Sequence, residues 1–337
     1  MSLSDARVLG YFGYNNAGDD AFADFWHRVM GVSREHIRMT LKHEEYVNTV
    51  CLGGGAVLND FFIGKLPKSF ETLHLVGVSF PYGDQDIKLL DHVKDKLGRV
   101  IIRSKHDVSR ARELGFDAEF VPDLIFGHEF KEQKIGSLED LYACASLPLA
   151  SATIKKKNLI VLLSGDYWFS ETWKFNETEV FKNRFARALD DLAPYYNIIM
   201  LPLSVWYGAR DYLIAGDVSM RMEKKTSCLI VEKYLGPDML YSIIRQFGDL
   251  VVSMKYHGLV FSIAAGVPFI NVGSTRKNIH LCADEGLERL SVPFNDFNID
   301  RFWAAVKTAE AAETLDAITD VAENNRKLVS SFVRTFV

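Results

Sequence analysis

The chain is 337 residues long, 48% apolar and 25% charged, the balance of a globular protein with material for a core in each of two ordinary domains. That composition excludes a disordered chain. The formal net charge of −5 gives no general pull towards nucleic acid or acidic membrane, although a local basic pocket for a phosphate-bearing ligand remains compatible with it.

Arg7 to Phe12 reads as a strand, followed by the turn GYNNAG and then DDAFADFWHRVM, where Phe22, Phe25, Trp26 and Met30 recur at helical spacing. Further strands are predicted at Thr49–Leu52, Leu73–Val78, Val100–Arg103 and Ala118–Val121, with helices at Asp84–Leu97 and Val108–Leu114. This alternation predicts a parallel sheet with crossover helices. The period is lost between Phe126 and Lys157, and the domain boundary is placed there, with Lys155, Lys156 and Lys157 read as a solvated linker end. The alternation restarts with the apolar run Asn158–Leu163, as expected of a strand covered on both faces. A helix at Glu179–Leu192, a strand at Ile198–Leu203 and a helix at Pro237–Phe247 follow. Next come a strand at Leu250–Met254, a helix at Gly258–Ala265, a strand at Phe269–Val272 and a helical tail, Arg301–Phe336, that could cross back onto the first domain. The expected architecture is α/β: two doubly wound Rossmann-like domains, residues 1–140 and 155–300, facing across a cleft, with residues 301–337 as C-terminal helix or helices. Ligands bind such sheets at the carboxyl ends of the strands.

Cys51, Cys144, Cys228 and Cys282 are widely spaced with no CxxC pair, which argues against a metal, redox or disulfide framework and for buried thiols in a reducing compartment. Met1–Arg7 shows no secretory pattern, and the longest uncharged apolar stretch, Leu259–Val272, is broken by Gly266 and Pro268. A cytoplasmic location is expected.

Five segments can carry chemistry. In GYFGYNNAGDDAF (10–22), Gly13 and Gly18 permit tight backbone, and Asp19 or Asp20 can cap the next helix; the glycines lack GxGxxG spacing. In CLGGGAVLND (51–60), Gly53, Gly54 and Gly55 form either a ligand loop or a tight strand–helix contact. In SMKYHGLVFSIAAGVPFINV (253–272), Lys255, Tyr256 and His257 sit where a strand turns into a helix whose N-terminus favours anions. His257 has the intrinsic range for proton transfer, and a structural role is the other reading. STRKN (274–278) holds Arg276 and Lys277 at another strand end, as an anion contact or an exposed basic loop. Arg103 ends VIIR with Asp107 and Ser109 beyond it, where a salt bridge and a cap serve equally well.

Taken in order, these segments resemble the polysaccharide pyruvyl transferase family: GYFGYNNAGDD (10–20), GGGAVLND (53–60), GVSFP (77–81), IIRSKHDVSRARELG (101–115), VPD (121–123) and above all MKYHGLVFSIAAGVP (254–268). The resemblance implies a two-domain, glycosyltransferase-B-like fold and transfer of enolpyruvate from phosphoenolpyruvate to a sugar of a cell-surface or exopolysaccharide precursor, closing a pyruvate ketal. It implies His257 as catalytic acid or base, and Lys255, Tyr256, Gly258, Arg276, Lys277 and Arg103 as donor-binding residues. Asn16, Gly18, Asp19, Gly53, Gly54 and Gly55 fall on the acceptor or cleft side. Phosphoenolpyruvate is then a co-substrate, with no cofactor and no metal, and the acceptor a saccharide or lipid-linked oligosaccharide. No nucleic acid partner is implied, and the place of action is the cytoplasm, at the inner face of the membrane beside the assembly machinery. Three features depart from the pattern. Residue 255 is lysine where arginine is usual, which removes a two-pronged grip on carboxylate or phosphate, and Arg276-Lys277-Asn278 lacks the proline of the later element. The aromatic stretch SGDYWFSETW (164–173) follows no family pattern and either stacks on sugar or packs on a wall. A nucleotide-sugar-dependent glycosyltransferase and a catalytically silent sugar-binding relative are the competing readings.

Overall fold

The computed structural model describes residues 3, 5–80, 85, 88–137, 140–141, 145–147, 156–165, 175–224 and 228–336. The chain forms two compact units. Among the described residues, no helix is long and apolar enough to cross a membrane.

The first unit comprises Met1–Tyr14, Gly18–Glu129 and Glu323–Val337. Its sheet contains β1 (Arg7–Leu9), β2 (Ile37–Arg38), β3 (Tyr46–Gly55), β4 (Ser69–Val78), β5 (Leu97–Ile102) and β6 (Ala118–Phe120) in the order β2-β1-β3-β4-β5-β6. Every pairing is parallel, with Val8 opposite Cys51 and Leu52 opposite Leu75. Leu9, Val50, Leu52, Leu73, Leu75 and Ile102 are buried in its core, each stabilising the fold by about 1.5–3 kcal/mol relative to exposure. The helix Ala17–Arg28 lays Phe22, Phe25 and Trp26 on this sheet with no exposed surface. Two glycines of β3 admit it. A Cβ on Gly53 would lie 3.1 Å from the Trp26 ring, and one on Gly54 2.6 Å from the Phe22 ring at a φ of +86°.

The second unit comprises Asn15–Ala17 and Phe130–Ala322. Its sheet is built from β7 (Ala145–Leu147), β8 (Lys157–Leu162), β9 (Tyr196–Met200), β10 (Cys228–Val231), β11 (Leu250–Ser253) and β12 (Phe269–Asn271), in the order β12-β11-β8-β9-β10-β7. Only β7 runs antiparallel, against β10. Strand β8 has β9 on one side and β11 on the other, so the connections run in opposite directions from it. The crevice outside the ends of β8 and β11 is the topological switch point, where open α/β sheets bind ligands.

Several elements differ from expectation. The Asp84–Leu97 helix is described only in part; Leu89–Lys96 is a 3-10 helix and β5 starts at Leu97, with Gly98 against the His74 ring, 2.4 Å from where a Cβ would be. The boundary falls at Glu129, inside the Phe126–Lys157 stretch where the period is lost, and residues 130–137, read with the first domain, group with the second unit. They run along the helix Gly236–Phe247, donating from Lys131 N to Asp238 (3.1 Å), Gln133 N to Ser242 (2.8 Å) and Ile135 N to Gln246 (3.2 Å). Phe130 stacks on Tyr241 with ring centroids 4.0 Å apart. The stretch shows no period because side chains of one helix, not a ladder, satisfy its amides. Lys156 donates to the Ala193 carbonyl and Lys157 opens β8, paired with Glu310; Lys155 lies outside the described residues. The tail is two helices, Ile299–Ala309 and Ala312–Phe336, the first capped by Asn298. Residues from Glu323 onward pack in the first unit, Val329 against Gly127 and Phe336 edge-on to His74.

Two predictions follow from this packing. Gly54→Ala should lower unfolding free energy by about 2–4 kcal/mol in urea titrations, from overpacking and a strained φ together; a loss below about 0.5 kcal/mol would contradict the packing role. Cys51, Cys228 and Cys282 are buried, which pushes their thiols up to about 12, 12 and 11. Iodoacetamide at pH 8 should therefore leave all three unlabelled until the protein unfolds, read by peptide mass.

Candidate functional site at the strand ends

The carboxyl edge of the second sheet is organised by a residue the sequence reading passed over. Asp211 opens the helix Asp211–Arg221 and is 1% exposed. Its Oδ2 accepts from Leu203 N (3.1 Å) and Ser204 N (2.7 Å), beyond β9, and its Oδ1 accepts from Gly165 N (3.0 Å), beyond β8. The same Oδ1 lies 3.0 Å from Nζ of Lys255, beyond β11. One carboxylate thus ties three strand ends together at the switch point. Such burial is tolerated because the charge is paired and hydrogen-bonded.

Lys255 is the residue before the helix Tyr256–Ala265, with extended backbone and a side chain only 9% exposed. Ser253 fixes its backbone, accepting from Lys255 N (3.1 Å) and donating to Lys255 O (2.9 Å). Gly258 lets the helix meet the sheet, since a Cβ there would lie 2.2 Å from Ser253 Oγ. Tyr256 is buried, and packing accounts for both it and Gly258. His257 is half-buried in the first helical turn, its ring edge-on to Tyr256 at 5.4 Å.

β12 is the neighbour of β11, with Asn271 opposite Ser253, so the STRKN turn lies beside the Lys255 turn. Asn278, fully buried, joins them by donating to the Met254 carbonyl and to Asn271 Oδ1, both at 3.1 Å. This leaves Arg276 exposed and Lys277 half-buried in the first turn of the helix Arg276–Asp284. Cations at a helix N-terminus oppose its dipole, so helix stability does not explain them. The structure therefore brings Lys255, His257, Arg276 and Lys277 to adjoining strand ends. Asn16 joins the same unit, bridged to Ser204, with Ala17 N donating to the Leu203 carbonyl at 2.8 Å.

The remaining sequence-selected residues gather in the first unit. Arg103 is buried, donating to Asp123 at 2.7 Å and Ser79 Oγ at 3.1 Å, with its guanidinium 6.0 Å from the Phe22 ring centroid. Gly54 meets the same Phe22, and Asp19 Oδ1 is 3.7 Å from where a Cβ on Gly55 would lie. Gly18 and Asp19 belong to the first turn of the helix Ala17–Arg28, while Asp20 accepts from Gly13 N at 3.1 Å. Asp107 accepts from Phe80 N at 3.1 Å, and Ser109 donates to the Lys105 carbonyl, as a tie and a helix contact. Of the aromatic stretch 164–173, only Ser164 and Gly165 are among the described residues.

The sequence description of the polysaccharide pyruvyl transferases matches residues 11–276, a span that includes all of these turns and ends in the STRKN loop. The chain belongs to the polysaccharide pyruvyl transferase family. No curated protein matches it. Among solved structures, this family member is similar to S. aureus MnaA in complex with UDP, at 9% identity and a TM-score of 0.56 over 85% of this chain and 74% of the other. It is also similar to the UDP-GlcNAc 2-epimerase of Methanocaldococcus jannaschii, at 11% identity and a TM-score of 0.54 over 86% and 77%. At such identities the likeness is one of fold, and the α/β, glycosyltransferase-B-like class expected of a pyruvyl transferase is the one observed.

Asp211→Ala should cost this pyruvyl transferase relative about 3–5 kcal/mol in urea unfolding, because it orphans an ammonium and three amides at once. A loss under about 1 kcal/mol would show that water replaces the carboxylate without penalty.

Proposed function

We propose that the protein transfers the enolpyruvyl group of phosphoenolpyruvate to two hydroxyls of a sugar in a cell-surface or exopolysaccharide precursor, closing a pyruvate ketal. The observation that carries this reading is the turn after β11, where the family signature sets Lys255 and His257 beside the cationic turn of Arg276 and Lys277.

The reaction makes three demands. A trianionic donor must be held, a proton must reach the vinyl carbon, and two hydroxyl protons must be removed. Lys255, Arg276 and Lys277 supply positive charge for phosphate and carboxylate. His257 delivers the proton that turns the vinyl carbon into a methyl group, which leaves the adjacent carbon open to the first hydroxyl. Phosphate departs, the second hydroxyl closes the ring, and of the two hydroxyl protons one replaces that given by His257 while the other leaves with phosphate. The turns at Gly18–Asp19 and Gly53–Gly55 are assigned to the acceptor and cleft side, and Arg103, expected among the donor-binding residues, is held by Asp123 and Ser79 as supporting structure. The work is placed in the cytoplasm.

A ligand that binds only the folded state raises the melting temperature by mass action. Phosphoenolpyruvate should raise it by several degrees at about a hundredfold excess over its dissociation constant, and Lys255→Met should abolish the shift. His257→Ala should keep the shift and lose turnover by about 10²–10⁴-fold, measured as phosphate release with a saccharide acceptor. UDP runs beside it because the S. aureus structure contains it. A shift with UDP and none with phosphoenolpyruvate would favour a nucleotide-sugar glycosyltransferase.

A further inference from the structure

One side chain joins the two cationic turns of the second unit. Asn278, in the first turn of the helix Arg276–Asp284, has no exposed surface. Its Nδ2 donates to the Met254 carbonyl and to Asn271 Oδ1, both at 3.1 Å, and its Oδ1 accepts from Thr275 Oγ1 at 2.6 Å. Met254 immediately precedes Lys255, and Thr275 immediately precedes Arg276. The amide therefore bonds the backbone one residue before the first cation and the side chain one residue before the second.

Each partner is itself fixed. Asn271 ends β12, where its Oδ1 also accepts from Gly273 N at 2.9 Å and its Nδ2 donates to Ser291 Oγ at 3.3 Å. Two oxygens thus face Asn278, so the nitrogen of its amide must point at them, and neither aspartate nor leucine supplies two donors there. The turns also approach closely. A Cβ on Gly273 would lie 2.3 Å from the Met254 carbonyl oxygen and 2.5 Å from Asn278 Nδ2. Thr275 occupies the N-cap of the helix, yet its hydroxyl caps no amide and is spent on Asn278. A threonine cap stabilises a helix by about 1 kcal/mol, so the tie to Asn278 replaces a contact that the helix itself favours.

We infer that Asn278 is a positioning residue that sets the spacing between Lys255 and the Arg276–Lys277 turn, and so favours an anion bearing two charged groups over an anion bearing one. Lys255 is anchored from its own side by Asp211 and Ser253, and the neighbouring turn by Asn271. The Asn278 amide links the two anchored sets. An anion with one charged group engages one turn and is indifferent to the spacing. An anion with two gains from both turns only when they are preset at the right separation, since a displacement of about 1 Å is enough to lose the second contact. Phosphoenolpyruvate carries its phosphate and its carboxylate on one carbon. On the pyruvyl transfer reading, on which this step rests for the identity of the ligand, it is the donor whose grip Asn278 presets.

Titration calorimetry on the full chain, at a temperature where circular dichroism shows each variant folded, compares inorganic phosphate, pyrophosphate and phosphoenolpyruvate. In wild type the two-group anions should bind more tightly than phosphate. Asn278→Leu keeps the volume and adds no charge but removes both donors. It should weaken phosphoenolpyruvate and pyrophosphate about tenfold and phosphate less than about twofold. Thr275→Val removes one hydroxyl bond and should weaken the same two anions about threefold. If Asn278→Leu does not fold, Thr275→Val decides, and an unchanged ratio of two-group to phosphate affinity in it overturns the inference. A residue that merely supports the fold would weaken all three anions alike or none, and either result overturns the positioning role. So does a wild type that binds no two-group anion more tightly than phosphate. Pyrophosphate binding that depends on Asn278, with no phosphoenolpyruvate binding in wild type, upholds the spacing and sinks the pyruvyl donor instead.

Discussion

A carboxylate stripped of water must be given its hydrogen bonds and its counter-charge by the protein, and at Asp211 the protein supplies both. Its bonds come from the backbone after β8 and β9, and its counter-charge from the side chain after β11. The crevice at the switch point keeps its shape because these four contacts converge on one group. The pair also fixes Lys255 as a charge rather than a flexible stem. An anion meeting it would find a cation whose conformational entropy has already been given up in folding.

The first unit uses the same device with different residues. Arg103, just beyond β5, is held by Asp123 beyond β6 and by Ser79 beyond β4. In both units a buried ion pair ties carboxyl ends of strands together, those of the neighbours β5 and β6 in the first and, across β8, those of β11 and β9 in the second, where loops alone would leave the geometry loose. The two differ in what is left over. Arg103 lies almost wholly out of solvent, with two of its donors spent on Asp123 and Ser79, and its environment is that of a structural clamp. Lys255 lies at the base of a helix N-terminus with a histidine two residues on and two further cations at the adjoining turn.

The sheets were legible from sequence wherever a strand is apolar on both faces, as in β3, β4, β8 and β11, and so was the helix Ala17–Arg28 with its aromatic stripe. The strands β2 and β7 were not, because β2 has two residues and neither is buried, and β7 falls in the stretch where the sequence shows no period. β10 and the helix Asp211–Arg221 were also missed, the helix because its apolar pattern is broken by Gly216. With that helix went Asp211, which looks like any acidic residue in a first turn until the fold brings Gly165, Leu203, Ser204 and Lys255 to it. Its position straight after a strand–loop unit was the one available signal. Motif spacing found Lys255, His257 and the Arg276–Lys277 turn correctly as neighbours of strand ends, but could not separate them from Gly53, Gly54 and Gly258, whose glycines serve close packing.

The most direct test of this account watches the Lys255 ammonium itself. In protein labelled with ¹⁵N at lysine Nζ, a group this buried and paired should exchange its protons slowly and give a resonance that disappears in Lys255→Arg. Phosphoenolpyruvate should shift this resonance in a saturable manner, and UDP should not. A Lys255 resonance unmoved by phosphoenolpyruvate, while binding is detected elsewhere on the protein, would contradict it.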